Sequence, residues 1–316
     1  MSAFNSDALL DRFGEVDSCI GYGSGVIPQA ESKPNPQLDF IIGVEDAEIW
    51  HRENMKHHPE DYGCLIRSLG PRVAAMIQRT GAGIFYNCLI DFEDEYGAKK
   101  IKVGVVESKT LLADLKEWNS LFIAGRTHKP IKILKSDSDF EKAISINREY
   151  ALKVALILLG GEFTEQELFE EIARISYRGD VRLDDPEKVK NIVSANVEAF
   201  RQIYLPLLET CDLAMNKCVE DGHSLFDKID FLIKDGVEPS LPSGILKSIQ
   251  KRIQAEDEFG PVIKKHLKNL VRNSGFSQVI KGAITTDPHK TLAYGAEKIR
   301  KWIMGKDRIK QMSINQ

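Results

Sequence analysis

The chain has 316 residues, 42% of them apolar and 28% charged, which is long enough for two or three cores and excludes disorder as the default state. A net charge of −4 excludes a general nucleic-acid binder, although Ile245 to Gln316 carries 15 Lys/Arg against 6 Asp/Glu, a basic tail on an acidic body. The five cysteines are scattered without a Cys-x-x-Cys pair and read as reduced thiols of a non-secreted protein, and no run of about 18 apolar residues is present to span a bilayer.

Ser2 to Arg12 predicts a short helix or arm packed on the first domain. A strand through Ile20–Tyr22 leads into the turn Gly23-Ser24-Gly25, then a polar insert, then a second strand, Leu38–Ile42, that carries Asp39. Glycines allow backbone N–H groups to approach an anion closely, and Ser24 adds a hydroxyl. The turn either joins two strands or cradles a phosphate; Asp39, among apolar neighbours, either faces water at an edge or holds a cation. No Gly-Lys-Ser/Thr follows, so this is not a P-loop, and Gly21-x-Gly23-x-Gly25 continues into Val26 and Ile27 rather than a dinucleotide fingerprint. Glu48 to Met55 comes next. Tyr62 to Arg79 has Leu65, Leu69, Val73, Met76 and Ile77 at helical spacing. Between them, His57-His58 lacks a third ligand and reads as a solvated helix end. Gly83–Ile90 and Ile101–Val106 predict a hairpin of the same sheet, with Asp91 and Glu93 solvated, and a helix from Ser108 to Leu121 closes the first domain.

Ala124 to Leu134 holds Arg126, Lys129 and Lys132, either a solvated basic linker or a phosphate clamp at a domain boundary. Asp137–Leu159 predicts a helix stopped by Gly160-Gly161, and Thr164-x-x-Glu167 is a capping box that opens Gln166–Ile175. Pro186 opens a third helix through Val197 and Phe200 to Leu208. Three helices with short joints predict a winged-helix or similar module. Lys188, Lys190 and Arg201 stand against Glu187, Glu198 and Glu209, so the third helix does not read a nucleic-acid groove. In the polar segment before it, Asp180 and Arg182 form either a structural turn pair or a phosphate grip. Leu225–Ile233 reads as a strand, and Ser243–Ile253 and Pro261–Val271 as helices. In Lys290–Met304, Leu292, Ala296, Ile299 and Ile303 share a helical face flanked by Lys298, Arg300 and Lys301, with Trp302 at its margin. Such a stripe either docks on the protein's own core or lies among anionic headgroups.

Gly23-Ser24, fourteen residues and then Asp39 resembles the signature of the DNA-polymerase-β-like nucleotidyltransferase superfamily. Further stretches resemble one branch of it, the mitochondrial translocator assembly and maintenance family of CDP-diacylglycerol synthases (phosphatidate cytidylyltransferases). They are Tyr22–Gln29, Gly81–Asn87, Lys102–Val106, Trp118-Asn119, Ala124–Arg126 with Lys129–Lys132, and Ser176–Arg182. The resemblance implies an α+β fold: a nucleotidyltransferase mixed sheet with flanking helices in residues 1–122, a winged-helix-like helical domain in 123–220, and a basic amphipathic, membrane-contacting region in 221–316. It implies conversion of CTP and phosphatidate to CDP-diacylglycerol and pyrophosphate, feeding cardiolipin synthesis, with Mg²⁺ held by Asp39. Asp39, Lys102 and Arg126 would be catalytic; Tyr22, Gly23, Ser24, Gly25, Lys56, Tyr86, Asn87, Asp180 and Arg182 would bind the nucleotide. The expected partners are CTP, phosphatidate and an anionic membrane surface, with no nucleic acid, at the matrix side of the mitochondrial inner membrane. The first residues do not read as an Arg/Ser-rich, acid-poor presequence. One departure stands out: superfamily members show Asp-x-Asp or Asp-x-Glu, whereas position 41 is Ile41, leaving Asp46, Asp91 and Asp180 as candidates for a second acid. Two rival expectations are a nucleotidyltransferase acting on RNA or protein, and a non-enzymatic membrane-bound factor for mitochondrial protein import.

Overall fold

The computed structural model describes residues 3–27, 36–159, 162–180, 186–211, 215–220, 223–228, 241–250 and 259–285. Helix α1 (Ser6–Phe13) starts on Asn5, whose side chain accepts from the N–H groups of Asp7 and Ala8, and stops at Gly14 with φ +67°. β1 (Ser18–Tyr22) and β2 (Leu38–Val44) are near-continuous apolar runs, and Asp46 caps α2 (Ala47–His57) by accepting from Ile49 N–H. The periodic stretch expected as one helix from Tyr62 to Arg79 is two, α3 (Cys64–Leu69) and α4 (Pro71–Gln78). Gly70 sits at φ +87° and Pro71 cannot supply the N–H that a continuing helix needs. β3 (Ile84–Asp94) and β4 (Gly97–Glu107) form the expected hairpin, longer than its apolar core suggested, and α5 (Ser108–Glu117) ends on left-handed Trp118.

These strands make one sheet with the order β3-β4-β2-β1-β5, where β5 is Lys132–Lys135 beyond the short helix α6 (Ala124–Thr127). β2 and β4 are parallel, and the other pairs are antiparallel. Strand alternation sorts the side chains to two faces. Leu38, Phe40, Ile42, Val103 and Val105 pack with Phe13 of α1 and Trp50 of α2. Ile20, Ile41, Ile84 and Val106 face the other way, into a core shared with the helices that follow.

Those helices are α7 (Ser138–Leu158), α8 (Glu165–Arg174), α9 (Pro186–Ser194) and α10 (Val197–Glu209), with two-residue β6 (Phe163–Thr164) between α7 and α8. Both halves of the Thr164–Glu167 capping box are formed. The helix expected from Pro186 to Leu208 is broken at Asn196, which sits at φ −136° and whose side chain turns back to Ile192 O. A hairpin, β7 (Met215–Glu220) and β8 (His223–Lys228), adds to β6 in the order β6-β8-β7. The sequence marked only one strand there, and its Ile229–Ile233 part lies outside the described residues. α11 (Ser243–Gln250) precedes α12 (Phe259–Thr285), which is far longer than the expected Pro261–Val271. The stripe at Lys290–Met304 also lies outside the described residues.

Candidate active site

Register brings the polar residues of the sheet together. Tyr22 is opposite Asp39 across β1 and β2, Asp39 is opposite Lys102 across β2 and β4, and Tyr86 is opposite Gly104 across β3 and β4. All four side chains share the sheet face of Ile20, Ile41, Val106 and Ile84, so Tyr22, Asp39, Lys102 and Tyr86 form a row under the second layer of helices. The Tyr22 and Tyr86 hydroxyls are 3.3 Å apart, and Lys102 Nζ lies 4.1 Å from the centre of the Tyr86 ring. Gly104 makes this possible, because a Cβ there would stand 2.6 Å from Tyr86 Cε1.

Asp39 is half-buried and accepts a 3.0 Å hydrogen bond from Gln37 Nε2. The Gly23-Ser24-Gly25 turn lies beside it. Val26 and Ile27 N–H donate back to Gly23 O, and Gly23 has φ +74°, with its missing Cβ 3.3 Å from Asp39 Oδ2. At Gly25 the reason for glycine is space, since a Cβ would lie 2.1 Å from Gln37 O.

Arg126 enters from α6. Its guanidinium stacks 3.8 Å from the Phe122 ring centre and 5.4 Å from that of Tyr22, and it donates to Phe122 O. Its buried Nε has no hydrogen-bond partner among the described residues. The segment carrying it is fixed from two sides. Asp114 of α5 accepts the N–H groups of Ser120, Leu121, Ile123 and Ala124. Asn147 of α7, fully buried, bonds Trp118 Nε1 at 2.6 Å, Thr127 Oγ1 at 2.7 Å and Ala124 O at 3.0 Å. Next to Arg126, Lys129 donates to Gly125 O and, at 2.7 Å, to Ser176 Oγ, and Lys129 and Lys188 Nζ lie 4.8 and 5.0 Å from the Tyr177 ring centre.

The electrostatics follow from burial and neighbours. Burial opposes the Lys102 charge, but Tyr22, Tyr86 and Asp39 outweigh it and raise its pKa above the ordinary lysine value. Burial likewise opposes Arg126, and the oxygens of Tyr86 and Tyr22 hold it charged. Lys129 goes the other way: burial first, then Arg126 and Lys188, push its pKa well below the usual value. Burial pushes the Tyr177 hydroxyl up to about 12. The result is a recess in which Lys102 stands beside the carboxylate of Asp39 while Arg126 and Lys129 crowd each other, an arrangement that an anion carrying several charges would relieve.

Not every expected residue stands here. Asn87 points to the opposite face, where it is buried near Tyr62, because it follows Tyr86 on the strand. Lys56 is exposed on α2, 3.8 Å from Glu53, and α2 covers the face away from Asp39. Lys132 also faces away, toward Phe4 and Ser6. Asp180 adjoins the recess through Tyr177, on which its charge acts. Arg182 lies outside the described residues. Of the candidate second acids, Asp46 caps α2 and Asp91 pairs with Lys100 at the exposed end of the hairpin. Among the described residues no three His, Cys, Asp or Glu side chains gather into a metal-binding group. Gln37, Phe122 and Lys188 belong to the site but were not anticipated. Gln37 was legible as the same-face neighbour two positions before Asp39 and Phe122 as the residue one helical turn before Arg126, whereas nothing local marks Lys188. A cleft of about 930 Å³ between α1 and α2 is lined by Asp11, Glu15, Asp17, Asp46 and Glu53, acids that would repel a polyphosphate.

Residues 6–231 match the family described as phosphatidate cytidylyltransferase, mitochondrial. Similar proteins bearing that same name come from Xenopus laevis (34% identical, covering 92% of this chain and 91% of the relative), Schizosaccharomyces pombe (32%, covering 92% and 81%) and Bos taurus (32%, covering 94% of each). With this extent of agreement lying over the sheet that carries Asp39 and Lys102 and the helices that carry Arg126 and Lys129, the chain belongs to the mitochondrial phosphatidate cytidylyltransferase family.

Proposed function

We propose that the chain transfers CMP from CTP to phosphatidate, giving CDP-diacylglycerol and pyrophosphate, as the names of its relatives imply. The observation that carries the reading is the register of Asp39 between Tyr22 and Lys102, with the Gly23-Ser24-Gly25 turn at its side. Phosphatidate, a phosphate monoester already largely ionised near neutral pH, attacks the α-phosphorus of CTP through a phosphate oxygen; the bond from that phosphorus to the bridging oxygen breaks, and pyrophosphate leaves with the electron pair. No general base is required. Ser24 and the turn's N–H groups would hold the β- and γ-phosphates, and Lys102 and Arg126 would balance charge as it shifts to the leaving group. Lys129 would gain its full charge as an anion enters beside it.

Magnesium suits this site as an ion shared with substrate. Gly23 puts no side chain beside Asp39 Oδ2, and Mg²⁺ commonly binds one or two carboxylates plus phosphate oxygens, which supports the reading. When bound it supplies neutralisation of the pyrophosphate, with Asp39 as its protein ligand. That answers Ile41, since a substrate-borne ion does not need a second acid at position 41. We read β6, α8–α10 and the β7–β8 hairpin as a winged-helix module that covers the nucleotide. The protein would work peripherally at the matrix side of the mitochondrial inner membrane, supplying cardiolipin synthesis, with Lys290–Met304 as one membrane contact.

The test is turnover of labelled CTP with phosphatidate vesicles and Mg²⁺, wild type beside Asp39→Asn. Lipid-soluble label from wild type alone is the expected result. A folded, vesicle-binding wild type that makes none would overturn the reading and favour an assembly factor.

A further inference from the structure

The segment from Trp118 to Arg126 runs against local preference. Among the described residues three that are not glycine have positive φ, and two of them are here, Trp118 at +54° and Leu121 at +56°. Side chains are disfavoured in the left-handed region and persist there only where the surroundings over-determine the backbone. One carboxylate does so. Asp114, 2% exposed on the last turn of α5, accepts Ser120 N–H at 2.7 Å and Leu121 N–H at 3.0 Å on Oδ1. Its Oδ2 accepts Ile123 N–H at 2.9 Å and Ala124 N–H at 3.0 Å. The Ser120 hydroxyl donates to Oδ1 at 2.8 Å and accepts the Phe122 N–H at 3.2 Å. Every N–H from 120 to 124 is thereby assigned, four to Asp114 directly and one through Ser120.

What this backbone delivers is Arg126. Phe122 supplies both the carbonyl to which the guanidinium donates and the ring that it stacks on at 3.8 Å. The same ring meets Tyr86 edge-on, with centroids 6.2 Å apart, and so touches the sheet as well. Ile123 O accepts the Arg126 N–H at 2.9 Å. Both anchors hang on Asp114, Ile123 directly and Phe122 through Ser120. Asn147 ties the ends of the segment, Trp118 and Thr127, while Asp114 shapes its middle. We propose that Asp114 is a positioning residue for the transfer reaction, acting through Phe122 to hold Arg126 aimed into the recess before the nucleotide arrives. The proposal rests on the role given to Arg126 above. A guanidinium set in advance needs no reorganisation as charge moves to the leaving group. Displacing such a group by about 1 Å lowers turnover on the order of 10²-fold.

The test joins spectroscopy to a double-mutant cycle. Asp114→Asn keeps the size of the side chain but offers one oxygen where two are used, and Ser120→Ala cuts the link to Phe122 at a half-buried position. The Arg126 Nε–H resonance of isotope-labelled protein, identified by its loss in Arg126→Met, is expected to shift in both variants while the other arginine resonances stay. Turnover of labelled CTP on phosphatidate vesicles should fall on the order of 10²-fold in Asp114→Asn and about two- to tenfold in Ser120→Ala. Neither change should lower the residual activity of Arg126→Met further. A role confined to stability would instead lower both backgrounds by the same factor, and that result would overturn the proposal. So would an Arg126 resonance unmoved in both variants. Should Asp114→Asn fail to fold, Ser120→Ala decides alone, and wild-type turnover with an unmoved resonance sinks the proposal. If the resonance shifts as expected but wild type makes no CDP-diacylglycerol, the hold on Arg126 stands and the transferase reading fails.

Discussion

Lys102→Met tests the central electrostatic claim, because it removes the charge and leaves most of the stem. Without ligand, two effects oppose each other. The variant forfeits the contact with the Tyr86 ring at 4.1 Å, worth about 0.5–2 kcal/mol, and the attraction to Asp39. It also escapes the desolvation of a buried ammonium; replacing buried charge with a packed apolar group is often neutral or favourable by about 1–4 kcal/mol. The folded protein should therefore keep its stability to within roughly 2 kcal/mol. Transfer is another matter. A cation aimed at developing charge in a site closed to water is worth on the order of 10²–10³ in kcat, or roughly 2.7–4 kcal/mol of barrier. The assay is turnover of labelled CTP on phosphatidate vesicles, run beside thermal melts with and without CTP. A loss of about 10²–10³ in turnover at nearly constant ligand-free melting is expected, together with a smaller upward shift of the melt by CTP. Activity within a few-fold of wild type would refute the role given to Lys102. Activity that falls only in step with the melt would do the same.

Gly25→Ala should destabilise by about 1–3 kcal/mol, because its Cβ meets Gln37 O at 2.1 Å and backbone must move. Since Gln37 holds Asp39, turnover should fall further than stability does; a fully active, wild-type-stable Gly25→Ala would remove the steric argument. Acid should also weaken the fold through His51, which bonds Tyr62 and Gln78 and whose pKa burial pushes down to about 4. The folded form keeps this ring neutral while the unfolded chain takes a proton below about 6.5, so the stabilising difference is complete above that pH and lost as pH falls toward 4. The difference is on the order of 3 kcal/mol, and His128, pushed down to about 3 by burial and then Lys129, acts in the same direction. Calorimetry of wild type and His51→Gln should show the steeper fall for wild type, and parallel curves would contradict it.

What the sequence revealed was local. Asp39 in an apolar run and the two glycines before it were readable because strand pattern and turn chemistry are written in adjacent residues. Tyr86 and Asn87, neighbours in sequence, illustrate the limit: alternation sends one to the recess and the other to Tyr62, and only the register with β4 decides which. Lys56 was carried by resemblance to a site that its helix does not face. The breaks at Gly70-Pro71 were visible as residues, yet the helical period on both sides masked them. Asn196 offered no such punctuation. The meeting of Lys188 with Tyr177 depends on how α9 packs, which no spacing encodes.

The parallel pairing of β2 with β4 reaches beyond catalysis into folding. The β3–β4 hairpin closes through a short turn and can form early, but Asp39 meets Lys102 only after α2, α3, α4 and β3 have been gathered into one long loop. The recess around Asp39 and Lys102 therefore waits on this long-range pairing, whereas the hairpin does not. A chain with a finished hairpin and no β2–β4 contact has secondary structure but does not yet bring Asp39 to Lys102. If the recess is the CTP site proposed above, the nucleotide binds only after β2 has met β4, so its affinity would report on the end of folding rather than its beginning.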